Sequence, residues 1–205
     1  MANSRVIITG CARSGTTFMT KVLQASGLGF VHERYFGPHG IVSWGYFDSP
    51  RKAIHFNRHE SLEQSTLPKF MQIRDPQKVC NSIRSVVDKP HASGFSSWGY
   101  IEDILPEVKL TKSPEEKTVI YWTLWNHKLL EHVNSVYNIK NSYRLYSTVC
   151  NMFAVNPMSL SDYNNFETKK INTRNNPYSL FDHSKYIPSS IRSEYDTVIT
   201  VLEKS

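Results

Sequence analysis

The sequence predicts an α/β fold in which a central parallel sheet is covered by helices on both faces. Three stretches predict it. The first is the β-branched run Arg5-Val-Ile-Ile-Thr9, which ends at Gly10 and leads through a short loop into an apolar-periodic segment. The second is Lys69-Phe-Met-Gln-Ile73, followed at once by the helix-starting pair Asp75-Pro76. The third is Ser113-Pro114-Glu115-Glu116, a capping sequence that opens a long segment rich in Trp and Leu. Strand-like runs that alternate with helix-length segments are joined by crossovers, and crossovers of that length build parallel sheets.

Arg5–Thr9 reads as a buried strand because it is continuously apolar and β-branched rather than alternating. Thr16–Ser26 reads as the first helix. Phe18, Val22 and Leu23 share one face, and Gly27 stands where a left-handed C-terminal stop is needed. Leu28–His32 is a second strand. Residues 33–68 hold a turn at Gly37-Pro38-His39-Gly40 and a short helix at Ile41–Phe47. After the third strand, Lys69–Ile73, Asp75 caps and Pro76 opens a helix reaching about Val87. Residues 89–112, broken by Lys-Pro, Ser-Gly, Ser-Ser and Leu-Pro steps, read as a long surface loop. Its aromatics Phe95, Trp98 and Tyr100 suit a sugar face or a lipid-like ring, so the loop is either the acceptor-facing segment or a loose loop pinned by those aromatics. The helix opened at Ser113 runs to about Val136 on a stripe of Trp122, Trp125, Leu129, Val133 and Val136. Ser142–Tyr146 is the fourth strand and Pro188–Glu203 the terminal helix. Residues 1–205 read as one domain, large enough to bury roughly 70% of its unfolded surface.

Composition narrows the function classes. The chain is 40% hydrophobic and 12% aromatic, which is the make-up of a globular protein. Its 24 Lys and Arg against 18 Asp and Glu give a formal charge of +6, which suits an anionic ligand. The basic residues are scattered, with no run longer than Lys169-Lys170, so the dense patch of a nucleic-acid binder is absent. No apolar segment has the length of a signal peptide or an integral membrane span. Cys11, Cys80 and Cys150 are odd in number and far apart, and neither CxxC nor HxxxH spacing occurs. No disulfide, no metal site and a cytoplasmic location are therefore expected.

The loop after the first strand carries the strongest chemical signal. Gly10-Cys11-Ala12-Arg13-Ser14-Gly15-Thr16-Thr17 lies between a strand and a helix, so loop amides and a helix N-terminus converge on one anion. Gly10 and Gly15 have the Walker A spacing, which predicts a P-loop NTPase-like three-layer α/β/α fold. Thr16 and Thr17 nevertheless replace the Lys-Ser/Thr pair of a nucleoside-triphosphate site. The missing lysine argues against ATP or GTP hydrolysis and for a different phosphate-bearing donor. Arg13 supplies a planar cation for bidentate oxyanion contact, and Ser14, Thr16 and Thr17 supply hydroxyls.

Thr9–Thr17 resembles the 5′-phosphosulfate loop of sulfotransferases that use 3′-phosphoadenosine 5′-phosphosulfate (PAPS), with Ala12 in place of the usual proline. Gln72-Ile73-Arg74-Asp75-Pro76, followed by Ser82, resembles that family's 3′-phosphate site, an Arg at a strand end paired with a Ser eight positions on. The segments Gly27–Arg34 and Gly37–Trp44 are similar to a His-Glu…Gly…Ser-Trp stretch of bacterial sulfotransferases. The likeness is to the bacterial and carbohydrate-type members. It implies Arg13, Ser14, Gly15, Thr16 and Thr17 at the 5′ end of PAPS, and Arg74 and Ser82 at its 3′-phosphate. Arg174, in Asn172-Thr173-Arg174, is implied as a second 3′-phosphate ligand. Glu33 maps onto the general base of the carbohydrate enzymes, and His32 competes with it, because a His does this work in the small-molecule enzymes. Tyr121-Trp122-x-x-Trp125-Asn126 extends the likeness weakly and reads as core aromatic packing, with Asn126 facing the cleft. The strand Tyr143–Tyr146 departs from the bacterial pattern, because Ser147 stands where an acidic residue follows.

The function that the resemblance implies is transfer of a sulfuryl group from PAPS to a hydroxyl or amine, leaving 3′-phosphoadenosine 5′-phosphate (PAP). The acceptor is a carbohydrate or small molecule that the sequence does not identify, and Arg13 would stabilise the transferring group. A small-molecule P-loop kinase is the alternative, but it requires a lysine after Gly15 and carboxylates for Mg²⁺. A third reading is a non-catalytic binder of adenosine bisphosphate or anionic polysaccharide. The sequence leaves the oligomeric state open.

Overall fold

A computed structural model describes residues 5–49, 60–84, 97–111, 113–168 and 180–205. Arg174, Phe95 and the residues following Arg84 as far as 96 lie outside the described residues. The strands are β1 (Val6–Thr9), β2 (Phe30–His32), β3 (Gly40–Ser43), β4 (Lys69–Ile73) and β5 (Ser135–Asn138). They form one sheet in the order β2-β3-β1-β4-β5, and every neighbouring pair is parallel. Seven helices of the α type accompany them among the described residues: α1 (Thr16–Ala25), α2 (Pro76–Arg84), α3 (Ser97–Ile104), α4 (Pro114–Leu130), α5 (Ser142–Met152), α6 (Leu160–Thr168) and α7 (Arg192–Lys204).

Strand alternation sends successive side chains to opposite faces of the sheet. Val6, Ile8, Val42 and Phe70 pack against Met19, Val22 and Leu23 of α1 and Leu145, Tyr146 and Val149 of α5. Ile7, Ile41, Met71 and Ile73 pack on the other face, against Val119, Trp122 and Trp125 of α4, with Tyr100 of α3 and Val198 of α7. The chain is therefore α/β, with an all-parallel sheet between helices, and β1 is fully buried at its centre. Several local expectations hold. Asp75 Oδ1 accepts the Lys78 amide, Ser113 Oγ accepts the Glu116 amide, and Gly27 has a φ of 80° just past α1.

Four expectations are corrected. Residues 142–146 open helix α5 instead of forming a strand; Ser142, Leu145, Tyr146, Val149 and Cys150 are its buried face. Five residues are too few to separate a period of 3.6 from a period of 2, and the longer register decides. Helix α4 ends at Leu130 rather than near Val136, and Val136 belongs to β5. Asn134 makes the difference. Its side-chain oxygen accepts the Lys69 amide and its own amide donates to the Lys69 carbonyl, which docks the chain onto the start of β4. Ile41–Phe47 is no helix: Gly40–Ser43 is β3, inserted between β2 and β1. The supposed loop 89–112 contains α3 and a 3₁₀ turn at Pro106–Leu110. Tyr100 is fully buried there with its hydroxyl donating to the Phe47 carbonyl, and its ring meets Trp44 and Trp125. Trp98 packs partly buried against the same core, its ring 6.2 Å from that of Tyr121, so neither aromatic is a free acceptor platform.

The cap at Ser113 gives a direct test of the local reading. Ser113→Ala should destabilise the protein by about 1 kcal/mol in urea unfolding, while Ser113→Asp, which keeps an acceptor, should stay within a few tenths.

Candidate functional site

The sheet order creates a crevice. From β1 the chain crosses to β2, two places away on one side, whereas β3 is followed by β4 on the other side of β1. Ligands in open α/β sheets lie at the carboxyl ends of strands where the connections diverge in this way. Residues 10–15 leave β1 at that point and Arg74 leaves β4 beside them.

The loop is held closely. A Cβ on Gly10 would collide with the Gln72 carbonyl and the Ser14 hydroxyl, so only glycine lets the backbone pass against β4. Gly15, at φ 101°, has its α-carbon against the Ile139 side chain, so a side chain there is excluded twice, by backbone and by space. Arg13 has a φ of 74°, a left-handed conformation that is unusual for a residue with a side chain. From below, the Tyr121 hydroxyl accepts the Ala12 amide at 2.7 Å. Tyr121 was read from sequence as core packing alone; it is core, and it also fixes the loop.

The two motifs separated in sequence meet here. Arg13 Nε donates to Ser82 Oγ at 2.8 Å, and Arg74 Nη1 donates to the Arg13 carbonyl at 3.0 Å. The Arg74 carbonyl in turn accepts the Trp122 indole N–H, anchoring the end of β4 to α4. Among the loop amides, Ser14 N–H is used in a turn to the Cys11 carbonyl. Among the described residues, the amides of Gly15 and Thr16 have no hydrogen-bond partner, and α1 has no side-chain cap. An uncapped helix N-terminus beneath a left-handed glycine is an anion-binding arrangement.

His32 and Glu33 flank the start of α1. His32 Nε2 lies 3.2 Å from Thr16 Oγ1, 3.3 Å from Thr17 Oγ1 and 3.3 Å from Glu33 Oε1. Burial lowers the His32 pKa to about 4. The Glu33 contact favours the imidazolium, but burial outweighs it and the ring is neutral at pH 7. A carboxylate oxygen beside Nε2 places the proton on that nitrogen, since a bare nitrogen would oppose two lone pairs. Glu33 itself sits at φ 67°, with its amide donating to the Val42 carbonyl.

Asn126 is fully buried within α4. Its side-chain nitrogen donates to the Trp122 carbonyl, and burial raises the pKa of the Cys11 thiol to about 12. Cys11, Cys80 and Cys150 are all free and buried. Trp44, in the segment similar to the bacterial His-Glu…Ser-Trp stretch, is core, packed on Tyr100 and Trp125.

No protein-family model, no curated protein and no solved structure matches this chain.

A cleft of about 680 Å³ opens beside Arg74, between the ends of β4 and β5. Arg74, Lys78 and Lys140 face it against Asp75 and Glu203, which leaves a cationic excess. His183 lines its wall, with Nδ1 2.7 Å from Gln77 Oε1 and Nε2 2.8 Å from the Tyr195 hydroxyl. Lys140 and the wall around it were not legible from sequence because β5 was read as the end of a helix. The signal that could have found them is Asn134, a poor residue for a helix interior.

The His32 environment has a pH signature. The unfolded chain takes up a proton near pH 6.5 and the folded chain only near pH 4, so folding stability falls as pH drops through that window. Urea unfolding at pH 7.5, 5.5 and 4.5 should show a weaker acid loss in His32→Asn than in the parent.

Proposed function

We propose that the chain is a PAPS-dependent sulfotransferase with a P-loop type of donor site. One observation carries this reading: Arg13, Ser82 and Arg74, which belong to two motifs about sixty residues apart, contact one another at the sheet's switch point. A donor that carries a 5′-phosphosulfate and a 3′-phosphate on one ribose needs cations close enough together to serve both, and adjacent Arg13 and Arg74 suit that need. The cationic cleft beside Arg74 has the volume of a small-molecule site and takes the nucleoside end.

In the reaction, the acceptor oxygen or nitrogen forms a bond to sulfur as the bond between sulfur and the 5′-phosphate oxygen breaks. The electron pair leaves on that oxygen, giving PAP, and Glu33 takes the acceptor's proton. His32, neutral and hydrogen-bonded through Nε2, orients Glu33 and the threonine hydroxyls. Amides of Gly15 and Thr16 and the Arg13 guanidinium stabilise charge on the leaving phosphate and the sulfuryl oxygens. The transferring group carries less negative charge than a γ-phosphoryl, in keeping with a loop that has Arg13 and no lysine after Gly15. The acceptor is a carbohydrate or small molecule.

Thermal unfolding with PAP, ATP and GTP tests the donor. PAP in EDTA should stabilise the protein by about 2.7 kcal/mol at a hundredfold excess over Kd. Stabilisation by ATP or GTP with Mg²⁺, and none by PAP, would overturn the reading in favour of a kinase. Arg13→Ala and Arg74→Ala should each weaken PAP binding about tenfold or more. Glu33→Gln should keep PAP binding but lower transfer by about 10²–10⁴; parent protein that binds PAP yet transfers to no acceptor would mark a binding module.

A further inference from the structure

Gln72 has no role in the site as described, yet it is the most exceptional polar side chain near it. It lies on β4 one residue from the strand's carboxyl end and is fully buried, and neither its Oε1 nor its Nε2 has a hydrogen-bond partner. A buried carboxamide without partners carries the desolvation penalty of each polar group left unsatisfied. Such a group persists where a ligand completes it.

Its position says which ligand. Phe70, two residues earlier on the same face, belongs to the core beneath α1, so Gln72 projects to the α1 side of the sheet. The β1–β4 register pairs Thr9 with Met71, which carries Gln72 opposite Gly10, the first residue of the loop. On its other side it pairs with Tyr137 of β5, next to the segment whose Ile139 covers Gly15. Ser14 is equally buried, and its hydroxyl is likewise without a partner, lying against the same side of Gly10 that meets the Gln72 carbonyl. Two fully buried polar side chains, both unsatisfied, thus belong to the segments that meet at Gly10, the root of the loop whose Gly15 and Thr16 amides would face an anion.

We infer that Gln72 is a specificity-determining residue of the anion cradle: once the 5′ group is bound, its Nε2 turns to donate to an oxygen of that group and its Oε1 takes the Ser14 hydroxyl, both unpartnered without ligand. This deepens the sulfotransferase reading and rests on it. A carboxamide can serve an oxyanion directly, with no cation between them. A carboxylate at the same place would repel the anion unless a divalent cation lay between the two. Gln72 therefore selects for metal-free binding of a group of low charge, and together with Arg13 it takes over what a lysine after Gly15 would do for a nucleoside triphosphate.

The test is calorimetric titration of the full chain with PAP and, separately, with inorganic sulfate, paired with thermal unfolding of the ligand-free proteins. Gln72→Met fills the same space without polar atoms. It should lose about tenfold in PAP affinity while its ligand-free Tm stays equal to or rises above the parent's by about 2–4 °C, because an unsatisfied group has gone. A merely structural Gln72, satisfied by buried water, would instead lower Tm in this variant, and that result overturns the inference. So does PAP affinity within twofold of the parent. Gln72→Glu, nearly isosteric, provides the second arm: PAP binding should be lost in EDTA and restored by Mg²⁺, and metal-indifferent binding equal to the parent's would again overturn the inference. A parent protein that binds neither probe brings down the donor reading and this inference together. Binding by the parent that is unchanged in both variants brings down this inference alone.

Discussion

Everything at the carboxyl edge of the sheet follows from one steric constraint, the absence of space between Gly10 and the end of β4. The backbone of the loop runs so close to the Gln72 carbonyl that no side chain fits between them. That closeness fixes where residues 11–15 turn, and the turn puts Arg13 and Gly15 into left-handed conformations. The strain at Arg13 is held by contacts on both sides of it: Tyr121 accepts the preceding amide and Arg74 donates to its own carbonyl. Tyr121 is rigid because it sits in the aromatic group of Trp125 and Trp98, and Arg74 because its carbonyl is tied to Trp122. The buried aromatics of α4 therefore hold the loop as well as the sheet. A strained, over-determined loop at a switch point is where stored conformational energy is expected to serve binding.

The electrostatics of the loop's surroundings are set by burial more than by charge. His32 stays neutral because it is desolvated, even with Glu33 beside it. Cys11, next to the loop's turn, is held as an inert thiol by the same effect. Among the described residues, Arg13 and Arg74 lie at the crevice with Glu33 nearby, and in the adjoining cleft Lys78 and Lys140 stand with Arg74 against Asp75 and Glu203. Neutral donors inside and cations at the mouth are an arrangement that favours an anion without placing a full charge beneath it.

Much of this was legible in the sequence, and the reasons differ by element. β1 was readable because a strand buried on both faces leaves a continuous apolar run, β4 because its Phe-Met-Gln-Ile run stops at the helix start Asp75-Pro76, and α2 and α4 began where Asp75 and Ser113 said they would. Strand β5 was not readable: Ser135-Val-Tyr-Asn138 follows a helix after four residues and becomes a strand only because Asn134 docks on Lys69. Helix α5 was missed because Tyr143-Arg-Leu-Tyr146 favours a strand locally, and its buried face emerges only over eleven residues. Arg13, Arg74 and Ser82 were found as motifs. What no spacing rule could give is that the first contacts the third while the second holds the first. Glu33 and His32 were found as rivals, and the geometry makes them partners.

The Arg13–Ser82 contact also constrains how a ligand arrives. Ser82 Oγ already accepts from Arg13, so an anion on either residue has to enter that pair rather than meet two separate groups. The guanidinium has five N–H groups in a fixed fork, and the contact to Ser82 uses Nε alone. A planar fork of this kind has more than one edge on which a serine and an oxyanion can be held. A lysine at position 13 would have a single point of charge, and it would have to choose between the serine and the ligand. The planar cation is thus suited to a site assembled from two distant motifs, because it can join them and bind at once. On the proposed reading, an arginine within the loop takes the place of the lysine on which a nucleoside-triphosphate site relies.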